Sequence, residues 1–229
     1  MIANTPDDRT MLLQRDGAMR IAAALDPSEL AELRCLVDEL PRRAGVRLER
    51  LGSQASSLMT SGVVAALVAD VLGAEVRPVR AVVFDKTPET NWRLGWHQDR
   101  TIVVKKRIEA PGFGPWSTKA GLQHVAPPFD LLERMITVRV HLDAIGRDNA
   151  PLLIAPGSHA FGLIPIHAVK RAVERCGQHA CLAQAGDVWI YKTPILHASE
   201  AATRPSRRRV IQIDYATFDL PFGLEWLGV

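Results

Sequence analysis

At 229 residues, with 28 Lys and Arg against 25 Asp and Glu and a net charge of +3, the chain can bury one good core and carries no large excess charge to point to a nucleic-acid or membrane partner. No early apolar run resembles a signal peptide, and none approaches the roughly 20 residues that a membrane span needs. The three cysteines (Cys35, Cys176, Cys181) are odd in number and match no metal-binding spacing, so the expectation is one soluble, cytoplasmic domain over 1–229.

Residues 1–18 read as a polar lead-in followed by a short helix. Asp26-Pro27-Ser28-Glu29 has the form of a helix start, with Asp at the N-cap, Pro at the first position and Glu placed for a capping box. Leu30, Leu33, Leu36, Val37 and Leu40 then recur at helical spacing until Pro41. A second apolar helix is predicted over about 61–72, with Gly73 as its stop. These helices make up an N-terminal part of about 1–74.

From residue 75 the texture changes to short Val-, Ile- and aromatic-rich segments separated by Pro and Gly, which predict antiparallel strands near 76–85, 96–104, 135–143, 151–155, 180–184, 187–192 and 208–216. Between the second and third lies a long Pro- and Gly-rich stretch, 106–134, expected to be a lid or binding loop. Ile166–Cys176, closed by Gly177, predicts another helix. Helices followed by many short strands indicate a mainly β fold, a sandwich or open barrel with a helical layer on one face.

Two His-x-Asp pairs stand out, His97-Gln98-Asp99 and His141-Leu142-Asp143. On a strand, residues two apart project from the same face, so either pair could aim an imidazole and a carboxylate at one point. A second histidine would complete the 2-His-1-carboxylate arrangement that suits non-haem Fe(II). His197 follows the Gly186-Asp187 turn and the strand Val188–Tyr191, where the chain can return beside one of the pairs. In 208–216, strand parity separates a mostly apolar face (Arg209, Ile211, Ile213, Tyr215) from a polar one (Arg208, Val210, Gln212, Asp214). In 135–143 it separates Ile136, Val138, Val140 and Leu142 from Thr137, Arg139 and His141.

Trp96-His97-Gln98-Asp99, Asp148-Asn149-Ala150-Pro151-Leu152, Pro156-Gly157-Ser158-His159, Gly186-Asp187, His197-Ala198-Ser199 and Arg208 together resemble the phytanoyl-CoA dioxygenase family. Its members are Fe(II)- and 2-oxoglutarate-dependent oxygenases on a double-stranded β-helix (jelly-roll) core, here expected over about 75–216. The resemblance implies that His97, Asp99 and His197 are the iron ligands, and it selects the first His-x-Asp pair over the second. It implies that 2-oxoglutarate and O2 are co-substrates, with Arg208 on the far carboxylate and Ser199 assisting; Arg suits that task because its planar fork matches a carboxylate. Arg139 falls in the cavity, against co-substrate or substrate. Thr137 on the same face, and Trp116 in the long loop with Phe113 and Lys119, are candidates for substrate contact.

The implied reaction is hydroxylation of an unactivated C–H bond with release of succinate and CO2; a carboxylate ligand at Asp99 leaves no site for halide. The short chain offers no obvious nucleotide-binding surface, which points to a small substrate rather than an acyl-CoA. Two alternatives stay open: a zinc hydrolase on the same three residues, or a non-catalytic jelly-roll binding protein. A nucleic-acid role for Arg204, Arg207, Arg208 and Arg209 lacks the interleaved aromatics such a surface uses.

Overall fold

The computed structural model describes residues 2, 5–41, 43, 45–48, 53–73 and 75–229. Its helices are α1 (Pro6–Arg15), α2 (Pro27–Asp38), α3 (Ser53–Thr60), α4 (Val63–Leu72), α5 (Phe129–Glu133) and α6 (Val169–Cys176). Its strands are β1 (Ala18–Ile21), β2 (Val46–Leu48), β3 (Arg77–Lys86), β4 (Leu94–His97), β5 (Ile102–Val104), β6 (Trp116–Lys119), β7 (Leu122–Val125), β8 (Ile136–His141), β9 (Leu152–Ile154), β10 (His179–Cys181), β11 (Val188–Lys192), β12 (His197–Ser199) and β13 (Arg208–Ala216).

The helix signals act as their chemistry dictates. Asp26 accepts hydrogen bonds from the Ser28 and Glu29 amides while Glu29 reaches back to the Asp26 amide, closing the capping box of α2. Gly73 ends α4 in the left-handed conformation that glycine adopts without strain.

A six-stranded antiparallel sheet, in the order β1-β11-β8-β13-β3-β2, faces a four-stranded sheet, β10-β9-β12-β4, as in a jelly roll. Parity decides which face of the large sheet meets the helices. Val138, Val140, Ile211, Ile213 and Tyr215 are buried in one apolar cluster with Leu33 and Val37 of α2, Met59 of α3, and Val64 and Val68 of α4. The opposite faces of β3, β8 and β13 turn toward the smaller sheet and carry the polar residues.

The structure departs from the sequence expectation in three places. The strand expected over 96–104 is broken into β4 and β5, and Asp99 lies in the link between them. The stretch 106–134 is not an irregular lid: β6 and β7 form a hairpin that joins β5 in a third sheet, and α5 follows. β1 and β2, two short strands outside the expected set, lie at opposite edges of the large sheet. No helix among the described residues is long and apolar enough to cross a membrane.

Candidate metal centre and co-substrate cavity

His97 closes β4 and His197 opens β12, and the two are directly paired in the antiparallel ladder. Their ring centroids are 4.2 Å apart. Each ring places Nδ1 against the carbonyl two residues earlier, His97 on Gly95 at 2.8 Å and His197 on Ile195 at 3.0 Å. A carbonyl only accepts, so Nδ1 carries the proton in both rings and Nε2 keeps its lone pair for a metal. Asp99 joins them: one ligand atom from each of His97, Asp99 and His197 lies within 4.8 Å of the others, and no other such group of His, Cys, Asp or Glu forms among the described residues.

Electrostatics keep these donors in the right form. Burial presses the Asp99 carboxyl upward, but His197, Arg80 and His97 outweigh it and hold the group below the ordinary carboxylate value, hence ionised. Burial pushes His197 down to about 4, so its ring is neutral at physiological pH. A neutral His197 ring, the His97 imidazole and one carboxylate brought together at one site fit Fe(II) with open positions for exchangeable ligands.

The triad opens into a cavity of about 370 Å³. At one end, β13 and β3 bring Arg208 and Lys86 into register, and Arg139 lines the cavity from β8. Arg208 is 2% exposed and Lys86 3% exposed. Arg208 donates to the Ala150 carbonyl, Arg139 donates to Gln212 Oε1 at 2.7 Å, and Lys86 Nζ donates to the Trp92 carbonyl at 2.7 Å and to Ser199 Oγ at 3.0 Å. None of these three cations has a carboxylate in salt-bridge range among the described residues. Burial, then the charges of Arg208 and Arg139, lower Lys86 to about 8. Like charges gathered without a counter-ion make a receptor for an anion.

The other arginines of the cluster are accounted for differently. Arg207 pairs with Asp38 and Asp85, Arg209 with Asp38 and Asp143, and Arg204 lies 3.7 Å from Asp148. The rival His-x-Asp pair is also dispersed: Asp143 is spent on Arg209, while His141 is buried with neither ring nitrogen partnered.

Several sequence motifs hold the site without touching it. Ser158 Oγ accepts from the Leu196 amide at 2.9 Å, just before His197. Asp187 accepts from the Ala23 and Gln184 amides, fixing the turn into β11. Asn149 exchanges two hydrogen bonds with Ser206 shortly before Arg208.

Trp116 and Thr137, expected at the substrate, do not line the cavity. Trp116 lies under the Arg107 guanidinium and packs on the cluster containing Phe113, Phe218 and Trp226. Thr137 is fully buried, bonded to Thr193 and Asp214. In their place Lys119 and His124 reach the cavity from the hairpin, with Arg80 and Arg47 from β3 and β2. Arg80 and Lys86 carried a legible signal, since both share the strand parity of Phe84, another cavity-lining residue.

Residues 13–210 match the phytanoyl-CoA dioxygenase (PhyH) family. The chain belongs to that family. It is therefore an Fe(II)- and 2-oxoglutarate-dependent oxygenase of jelly-roll fold. Three solved structures are similar over most of their length. EctD from S. alaskensis in its apoform has a TM-score of 0.72 at 18% identity, covering 100% of this chain and 86% of its own. The non-heme alpha ketoglutarate dependent carbocyclase SnoK from nogalamycin biosynthesis has a TM-score of 0.71 at 16% identity, covering 99% and 88%. The epimerase SnoN, solved in complex with Fe3+, alpha ketoglutarate and nogalamycin RO, has a TM-score of 0.70 at 19% identity, covering 95% and 91%. At these identities the likeness is one of fold. No curated protein sequence matches the chain.

Proposed function

We propose that this oxygenase hydroxylates an unactivated C–H bond of a small molecule, with His97, Asp99 and His197 holding the iron. The observation that carries this reading is the convergence, in one cavity, of the two-His-one-carboxylate set and a wall of three buried cations without a carboxylate partner. When bound, Fe(II) supplies oxygen activation coupled to conversion of 2-oxoglutarate into succinate and CO2.

The chain's own residues do the rest. Arg208 offers its planar fork to the far carboxylate of 2-oxoglutarate, with Lys86 and Arg139 adding charge. Ser199 Oγ already accepts from Lys86, which leaves its own hydroxyl proton free to donate to the same carboxylate. Asp99 would complete the protein ligand set with a carboxylate, which favours hydroxylation over halogenation. The cavity volume lies at the small-molecule end of the usual range for ligand sites. SnoN is an epimerase and SnoK a carbocyclase, so related folds direct such chemistry to other outcomes.

The test is anaerobic addition of Fe(II) and 2-oxoglutarate. Wild-type protein is expected to develop a weak metal-to-ligand charge-transfer band in the visible, and His97→Ala to lose it. Absence of the band in wild type, or its survival in the variant, overturns the assignment. Incorporation of one atom from 18O2 into the product then separates hydroxylation from epimerisation or ring closure.

A further inference from the structure

The cavity does not end at the triad. β3 runs along it with Lys86 near one end and Arg80 six residues earlier, about 20 Å away at the rise of an extended strand. Asp99 lines the same cavity, and the charges of both Arg80 and Arg139 act on it. The Lys86 end is the one assigned above to the co-substrate. The Arg80 end has its own set of groups, which that assignment does not use.

Arg80 itself is satisfied, held by Asp214 at 3.2 Å. Around it stand Arg47 from β2, Lys119 from the end of β6 and His124 from β7. Arg47 and Lys119 have no acidic partner among the described residues. His124 is 2% exposed, and neither of its ring nitrogens has a hydrogen-bond partner. A buried imidazole with both nitrogens unpaired is unfavourable, and His124, unlike His141, lines the cavity, where a ligand can complete it. Burial, then the nearby charges of Arg80, Lys119 and Arg47, lowers it to about 4, so it remains a neutral ring with one N–H to give.

We propose that this end binds an oxyanion group of the substrate, with Arg47 and Lys119 supplying charge and His124 a directed hydrogen bond. The substrate class is thus a small organic acid, or a phosphate or sulfate ester, entering with its acidic group away from the co-substrate. This rests on the oxygenase reading for the identity of the reaction centre, but the anion site itself needs no metal.

The test uses protein labelled with 15N-histidine, loaded with Zn(II) as a diamagnetic substitute and with saturating 2-oxoglutarate so that the Lys86 end is filled. Sodium acetate, phosphate and sulfate are titrated separately against chloride at constant ionic strength, and His124 is identified by comparison with His124→Asn. At least one oxyanion should shift the His124 ring resonances saturably; acetate against the tetrahedral anions separates a carboxylic acid from an ester. In the Arg47→Met/Lys119→Met double variant, half-saturation should rise at least tenfold. No saturable shift with any of the three, or an unchanged response in the double variant, overturns the proposal. If the double variant does not fold, Lys119→Met alone carries the test, since that side chain is exposed at the hairpin end. The charge-transfer band distinguishes the two readings: a band without a His124 response sinks the anion site alone, and a His124 response without a band sinks the oxygenase assignment alone.

Discussion

Gln98 Nε2 donates to the Pro194 carbonyl at 2.8 Å, tying the link that carries Asp99 to the turn that delivers His197. The same amide donates to the Gly162 carbonyl at 3.0 Å and accepts from the Ile164 amide at 2.9 Å. The side chain between the two proposed ligands therefore points away from the metal and fixes the backbone that positions them.

Gln98→Leu keeps the volume and removes all three bonds. Unpaired buried groups cost about 1–3 kcal/mol each, so a loss at the bottom of that scale for all three, about 3 kcal/mol, lowers Tm by roughly 6–12 °C in a chain of this size. Outer-shell losses of this kind weaken metal affinity by about 10–100-fold. Differential scanning fluorimetry and Fe(II) titration measure the two effects; unchanged iron affinity would assign Gln98 to stability alone.

Arg208→Met should raise the dissociation constant for 2-oxoglutarate by roughly 10- to 150-fold, the equivalent of about 1.5–3 kcal/mol for a charged hydrogen bond. Arg208→Lys restores the charge but not the planar fork and should fall between the variant and wild type. Titrating the charge-transfer band reads both. A lysine variant as weak as methionine would mean that geometry, not charge, holds the carboxylate.

Lys86 introduces a pH dependence whose sign is fixed. Its folded value, lowered to about 8, lies below the unfolded value of about 10.4, so between those limits the unfolded state binds more protons. Stability without co-substrate should therefore rise with pH across that window, and the penalty is fully present below pH 8. Binding of 2-oxoglutarate favours the charged lysine, so its affinity should weaken as pH rises above about 8. Melting curves and band titrations at pH 7.5 and 9.5 check both trends, which Lys86→Met should flatten.

Asp143→Ala should leave the charge-transfer band intact and lower stability by about 1–3 kcal/mol, because Asp143 accepts from the Arg209 amide at 2.8 Å and from its guanidinium. Asp99→Ala should do the reverse, abolishing the band. Loss of the band in the Asp143 variant would reopen the choice between the two His-x-Asp pairs.

The two cavity-facing strands and the His97–Asp99 link differ in how much of their geometry local sequence dictates. Strand parity in β8 and β13 separated Arg139, Arg208 and Gln212 from the aliphatic residues that pack on the helices, because the two strands pair with each other in unbroken register. The same reasoning applied to His97 and Asp99 assumed a continuous strand, whereas β4 stops at His97. The β6–β7 hairpin was hidden for a different reason. Its turn places Ala120 and Gly121 at φ +51 and +81, the arrangement usually announced by Asn-Gly or Asp-Gly. Ser117, Thr118, Gln123 and His124 gave its strands no apolar alternation, so the hairpin, and His124 with it, did not emerge from local pattern.

β3 is hydrogen-bonded to β13 on one side and, along its middle, to β2 on the other, so the interval between Lys86 and Arg80 cannot be altered by the swing of a loop. Arg47 of the proposed acid-binding end is paired into the same frame opposite Val82, so its distance from the co-substrate end is set by the sheet and regiochemistry becomes a matter of measured length. The carbon oxidised is the one that a fixed reach from the acid group brings to the metal. A methylene added beyond that carbon should leave the position of oxidation unchanged, whereas one inserted between the acid and that carbon should move oxidation to its neighbour.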